Sequence, residues 1–193
     1  MTDPSARSTP MVGFRQARPA DAQSIARLHS DSWRRHYRGA YADTYLDGDV
    51  ATERLAVWRS RLEQPHPRAW TVLAVDDEEV IGFAHVMFNE DATFGCLLDN
   101  LHVAGQRQRR GVGTSLLALT AEEVVERRSG LFLWVLEQNQ DAQAFYAAHG
   151  GRCWERNPAS PPGGQADRLA GTPMMLRYIW PAERLTDLAL LSR

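Results

Sequence analysis

The chain has 193 residues, 44% hydrophobic and 24% charged, enough to bury one sizeable core and not comfortably two. A formal net charge of −2 supplies no global field toward nucleic acid, so any basic function is local and nucleic acid is not an expected partner. Two cysteines, Cys96 and Cys153, with no CxxC pair argue against a disulfide framework and a structural zinc site, and no metal is expected.

The leading "MTDPSARSTP" lacks a charged-then-apolar signal pattern and reads as a disordered leader over residues 1–10, ahead of a single domain over 11–193. "MVGFRQARPA" alternates and stops at Pro19, which predicts a first strand over 12–18. Pro19 and Asp21 start a helix that runs to about Tyr37, with Ile25, Leu28, Ser32 and Trp33 near one face. "DGDVATERLAVWRSRLE" predicts a second helix, with Leu55, Trp58 and Leu62 at helical spacing. "AWTVLAVDD" and "EVIGFAHVMFNE" read as a hairpin around an acidic turn, and "FGCLLDNLHVAG" as a fourth strand ending at Gly105. "GTSLLALTAEEVVERRSG" is a helix with apolar Leu116, Leu117, Leu119, Val124 and Val125 and a stop at Gly130.

"LFLWVLE" is a buried strand, and "NQDAQAFYAAHGG" a helix capped by Asn139 and closed by Gly150. "RCWER" is a short strand, "NPASPPGGQADRLAG" a loop, and "TPMMLRYIW" a last strand. The order β-α-α-β-β-β-α-β-α-β-β predicts an α/β (α+β) fold: a mixed sheet with one parallel pair in its second half. No apolar stretch approaches the ~18 residues of a membrane helix, so no membrane partner is expected, and a reducing cytoplasm is the default location.

Between the fourth strand and its helix lies "QRQRRGVGTS". The first N–H groups of a helix have no internal partners, the helix dipole adds positive potential, and glycines let an anion approach. A Walker A loop is rejected, because no lysine follows a glycine in that pattern. A dinucleotide fingerprint is weak, because Leu116 stands where its third glycine belongs. The remaining pattern, [RQ]xxGx[GA], is met by Gln108, Arg109, Arg110, Gly111, Val112 and Gly113. Six such residues alone describe a helix cap on a solvated basic turn equally well.

With its strand and helix, this segment resembles the cofactor-binding core of the GNAT family, the GCN5-related N-acetyltransferases. "EQNQDAQAFYAAHGG" is similar to that family's later N-x-x-A-x-x-F-Y-x-x-x-G signature, with Asn139, Ala142, Phe145, Tyr146 and Gly150 in place. The resemblance implies a GNAT-like acyl-CoA N-acyltransferase fold: a twisted mixed sheet with a splayed parallel pair, flanked by helices. Its co-substrate would be acetyl-CoA. Backbone groups of Gln108, Arg109, Arg110, Gly111, Val112, Gly113 and Thr114 would hold the pyrophosphate. Leu101, His102 and Val103 would pair with pantetheine, which would also lie along Asn139, Ala142 and Tyr146.

The resemblance further implies direct acetyl transfer to an amine in a ternary complex, with Tyr146 returning a proton to the departing thiolate. The glutamates that serve as base in two branches of the family align with Leu97 and Trp134, so neither is present. Asp99 is the nearest acid, placed by strand alternation on the face of Leu101 and Val103, with a water relay as the alternative and Glu137 at the end of the later strand. On the acceptor side Trp33, Tyr37 and Tyr41, with Asp43, Asp47 and Asp49, would suit a cationic amine, small molecule or peptide. The same residues also read as core packing. Two further readings stay open: a non-catalytic acyl-CoA-binding or regulatory module, and a homodimer formed through a free sheet edge.

Overall fold

In the computed structural model, which describes residues 12–192, local sequence chemistry accounts for most element boundaries. The expected leader over 1–10 lies outside the described residues. After β1 (Gly13–Gln16), a 3-10 turn at Pro19–Asp21 is closed by Asp21, whose carboxylate accepts from the Arg18 backbone N–H at 2.7 Å and pairs with Arg15 at 2.7 Å. Helix α1 (Ala22–His36) follows, with Tyr37 as its C-cap. A short α2 (Asp43–Asp47), not expected from the sequence, leads into α3 (Val50–Glu63).

The hairpin β2 (Ala69–Asp76) and β3 (Glu79–Asp91) is as expected, turning through Asp77 and Glu78, both at positive φ. Then come β4 (Gly95–Val103), α4 (Val112–Val125), β5 (Leu131–Leu136), α5 (Gln140–Ala148), β6 (Arg152–Pro158) and β7 (Met174–Trp180). A final helix, α6 (Ala182–Ala189), was not foreseen. Its Leu185 and Leu188 sit three apart and are buried in the core alongside those of α4.

The seven strands form one sheet in the order β1-β2-β3-β4-β5-β7-β6, antiparallel except for β4 and β5. Helices cover both faces. On one, Leu116, Leu117, Ala121 and Val124 of α4 and Leu185 of α6 are fully buried against Ala74, Ala84, Val86 and Leu133. Burying a leucine of this kind contributes about 1.5–3 kcal/mol. On the other, Ile25 and Leu28 of α1 and Trp58 of α3 pack on Leu73 and Phe83.

Two features of β4 interrupt the regularity of the sheet. Its pairing with β5 covers only Cys96 with Leu131 and Leu97 with Phe132, after which the strands part. Across from β3, His85 faces Asn100 and Val86 faces Leu98, so Asp99 is the extra residue of a β-bulge. The bulge resets the alternation of side chains. Leu98, Leu101 and Val103 therefore all face the α4 side, while Asp99 turns to the α3 side and meets Arg61. The expectation that Asp99 shares a face with Leu101 and Val103 is thus corrected: strict alternation does not survive an inserted residue.

Candidate active site

The parting of β4 and β5 opens a cleft of about 630 Å3. Its floor is formed by Leu101, His102 and Val103 of β4 and Leu133, Trp134 and Val135 of β5. At its mouth lies the turn into α4. Arg109 and Gly111 have positive φ, 60° and 82°, with Arg110 between them outside that region. Alternation of this kind turns successive N–H groups toward one concavity, which is an anion nest, here completed by the α4 N-terminus. A Cβ on Gly111 would meet nothing within 4 Å, so the space beyond it is open to a ligand. Gln108 Nε2 donates to the Val103 carbonyl at 3.3 Å and ties the turn to the end of β4.

Gln108, Arg109, Gly111, Gly113 and Thr114 line the cleft. Arg110 is exposed and Val112, the first residue of α4, is buried, so neither side chain faces the cleft, and what Val112 has for an anion is its N–H. Helix α5 forms the far wall with Asn139, Ala142 and Tyr146. Asn139 caps it, its Oδ1 accepting from the Ala142 N–H at 3.2 Å, so the group it has for the cleft is its Nδ2 donor. The helix ends in a Schellman motif: the Gly150 N–H donates to Ala147 O at 3.1 Å and the Gly151 N–H to Tyr146 O at 2.9 Å, with Gly150 at φ 81°.

Tyr146 lines the cleft although only 8% exposed, its ring packed on Phe145, Tyr178 and Trp180. It is both a core aromatic and a cleft residue. Burial pushes its phenol up from the ordinary value. His149, which sequence reasoning missed, bonds the Thr114 hydroxyl through Nε2 at 2.9 Å and joins the end of α5 to the start of α4.

A second cavity, about 530 Å3, adjoins the first and is lined by Trp33, Tyr37 and Tyr41. Tyr37, Leu98, Asp99, Asn100, His102 and Trp134 border both, so the two form one passage with these residues at the junction. Trp33 and Tyr37 stack at 5.3 Å, and Tyr41 meets Tyr37 edge-on at 5.0 Å. The loop after β6 roofs this cavity with Ser160, Pro162 and Gly163. Backbone bonds from Ala42 N–H to Arg168 O and from Ala170 N–H to Ala40 O, each 2.9 Å, hold that loop down.

The acidic residues named from the sequence fare differently. Asp43 and Asp47 are 70% and 58% exposed and pair with Arg38, and Asp49 is exposed. None of the three lines the cavity, which corrects the expectation of an acidic wall. Glu137 is paired with Arg156 at 2.7 Å on the surface. Asp99 stays at the junction, where its Oδ2 accepts from Arg61 at 2.8 Å and from Asn100 Nδ2 at 2.6 Å. His102 lies behind β4, bonded through Nδ1 to the Ser32 hydroxyl at 2.8 Å, and burial pushes it down to about 4, so its imidazole is neutral.

Sequence reasoning also passed over Arg54 and Arg61, which line the second cavity. They are seven apart on α3, and that spacing puts both on one helical face. Among the described residues no cluster of His, Cys, Asp or Glu is placed to hold a metal ion, and no helix is long and apolar enough to cross a membrane.

Comparison with known proteins agrees with this geometry. The chain is 33% identical over 144 residues to the uncharacterized N-acetyltransferase YuaI of Bacillus subtilis, covering 72% of this chain and 79% of the relative. Its fold matches the PaiA N-acetyltransferase of Thermoplasma acidophilum, solved in complex with coenzyme A, with a TM-score of 0.65, 18% identity, and coverage of 88% and 99% of the two chains. Arabidopsis thaliana NAA60, solved with a bisubstrate analogue, matches with a TM-score of 0.64 at 17% identity, over 88% of this chain and 97% of that one. The family model of the Acetyltransferase (GNAT) family matches residues 23–150, and the chain belongs to that family.

Proposed function

We infer that the protein transfers the acetyl group of acetyl-CoA to a primary amine by direct attack within a ternary complex. Membership of the family makes it an acetyl-CoA-dependent N-acetyltransferase. The assignment of roles to residues is our own. The observation that carries it is the anion nest at Arg109–Gly111, set at the mouth of a cleft that continues into a second cavity. A module that only bound acyl-CoA would need the nest and the cleft but no onward passage to an acceptor.

The residues present fit acetyl-CoA, which supplies an activated acetyl thioester. N–H groups from Gln108 to Thr114 would hold its pyrophosphate, with Arg109 and Arg110 adding charge. The edge of β4 freed from β5, at Leu101–Val103, would pair with pantetheine as an added strand, with Asn139 and Ala142 flanking it. An N–H on that same edge would serve the oxyanion. The amine loses its proton to Asp99, directly or through a water at the junction. Tyr146, whose phenol burial keeps protonated, returns a proton to the thiolate. We expect the setting to be a reducing cytoplasm, which suits the free thiols of Cys96 and Cys153.

The test is thiol release from acetyl-CoA in the presence of a panel of amines, with mass spectrometry of the product. We expect an acetylated amine formed one-for-one with free CoA. Tight acetyl-CoA binding with no transfer to any member of a broad panel would favour the binding-module reading instead.

A further inference from the structure

The acceptor cavity carries an unbalanced positive charge. Its charged lining residues are Arg54, Arg61 and Asp99. Asp99 and Arg61 pair at 2.8 Å, which leaves Arg54. The Arg54 Nη2 donates to Glu53 at 2.7 Å, but that carboxylate is shared. Glu53 also pairs with Arg168 of the roof loop and accepts from the Tyr45 hydroxyl at 3.2 Å. Two guanidiniums therefore draw on one carboxylate, and the wall holds one positive charge more than it answers.

Arg54 is also below its hydrogen-bonding capacity. Its Nε–H is buried without a partner and has no surface on the cavity, so a ligand there is met by the Nη groups of its five-donor fork. The guanidinium lies over Trp33, 4.6 Å from the ring centre, which holds it flat. The neighbouring histidines add no positive charge of their own, since burial keeps His29 and His102 neutral. A flat guanidinium with surplus charge suits a planar carboxylate.

We propose that Arg54 forms a carboxylate subsite and that the acceptor is a small amino carboxylate, its amine at the Asp99–Tyr37 junction and its carboxylate at Arg54. This rests on the transferase reading above and adds the substrate class to it. The roof loop, held by Arg168 on Glu53 and by its backbone bonds to Ala40 and Ala42, and a volume of about 530 Å3, favour a small molecule over a protein side chain.

The experiment compares matched acceptors, each amino carboxylate against its own primary carboxamide, by initial rates of thiol release. The carboxylate member is expected to be favoured in kcat/KM by about tenfold or more. Arg54→Gln should abolish that preference by raising KM for the carboxylates, and leave CoA affinity unchanged as a check on folding. Arg168→Gln gives Glu53 to Arg54 alone, removing the surplus charge from outside the cavity, and should reduce the preference as well. Carboxamides turned over as well as carboxylates, or an Arg54→Gln enzyme with unchanged KM for carboxylates, would overturn the subsite while leaving the transferase reading intact. Calorimetric titration of N-acetylated amino carboxylates into the CoA-loaded protein separates the converse case. Binding lost in Arg54→Gln, with no turnover of any amine, would uphold the subsite and sink the transferase reading.

Discussion

Tyr146 stands where packing and the proposed chemistry meet. Its ring fills a core position against Tyr178 and Trp180 while its side chain borders the cleft. Tyr146→Phe keeps the ring, so stability should change little, and it removes the only part of the side chain that can give a proton. Positioned acids contribute of order 10²–10⁴ in rate, so kcat should fall roughly a hundredfold with KM for acetyl-CoA within about a factor of two. Because burial raises the phenol above its ordinary value of about 10, the wild-type profile should show no loss of activity from Tyr146 ionising below that pH. Initial rates of the two proteins across neutral and mildly basic pH check both points, and an unchanged kcat would remove the tyrosine from the mechanism.

At the scale of elements, the β4–turn–α4 unit joins a bulged strand, a nest and a helix start. Gly111 is its most exacting position, with φ 82° and open space where a side chain would point. Gly111→Ala should cost about 1–2 kcal/mol of stability through the left-handed backbone alone. It should also weaken CoA binding, because the new methyl group enters the space that a phosphate needs. Chemical denaturation together with CoA titration measures the two effects, and unaltered CoA affinity would argue against the nest as the phosphate site.

Much of this unit was legible in the sequence because its cues are local: a strand, two glycines, then a helical period. The α5 cap and its Gly150 ending were legible for the same reason. The bulge was not, since an inserted residue shows only against a pairing partner, and Asp99 was accordingly assigned to the wrong face. The acceptor wall was misread in charge as well. Arg38, five and nine residues before them, withdraws Asp43 and Asp47 to the surface, while Arg54 and Arg61 reach the cavity only because α3 packs beside α1.

For the molecule as a whole, two proposed properties concern how the layers meet. The free edge of the sheet at β6 carries Trp154, 54% exposed, and it is the surface through which we expect a homodimer. A Trp154→Glu variant should sediment as a smaller species than the parent, and identical sedimentation would exclude that edge.

The second property is acid sensitivity, which arises from three histidines between the sheet and the α1/α3 layer. His29 accepts from Trp58 Nε1 at 3.0 Å, His85 is bonded to the Thr71 hydroxyl at 2.7 Å, and His102 to Ser32 at 2.8 Å. Burial lowers all three, with nearby Arg54 and Arg61 adding to the effect on His29 and Arg61 to that on His85. His85 and His102 are pushed down to about 4, against about 6.5 in an unfolded chain. Between those values the unfolded chain binds protons that the folded histidines refuse. Stability therefore rises with pH through that window and falls on acidification from about 6.5 toward 4, by at most about 1.4 kcal/mol per pH unit for each histidine. Paired carboxylates such as Asp21, held below the usual range by Arg15, lose their contribution only at lower pH, so the histidine window stands apart from theirs. Thermal unfolding followed between neutral pH and about 4.5 should show this slope. His85→Asn, which keeps a polar partner for Thr71, should lower stability at neutral pH yet flatten the slope. Parallel curves for the two proteins would mean that His85 does not supply it.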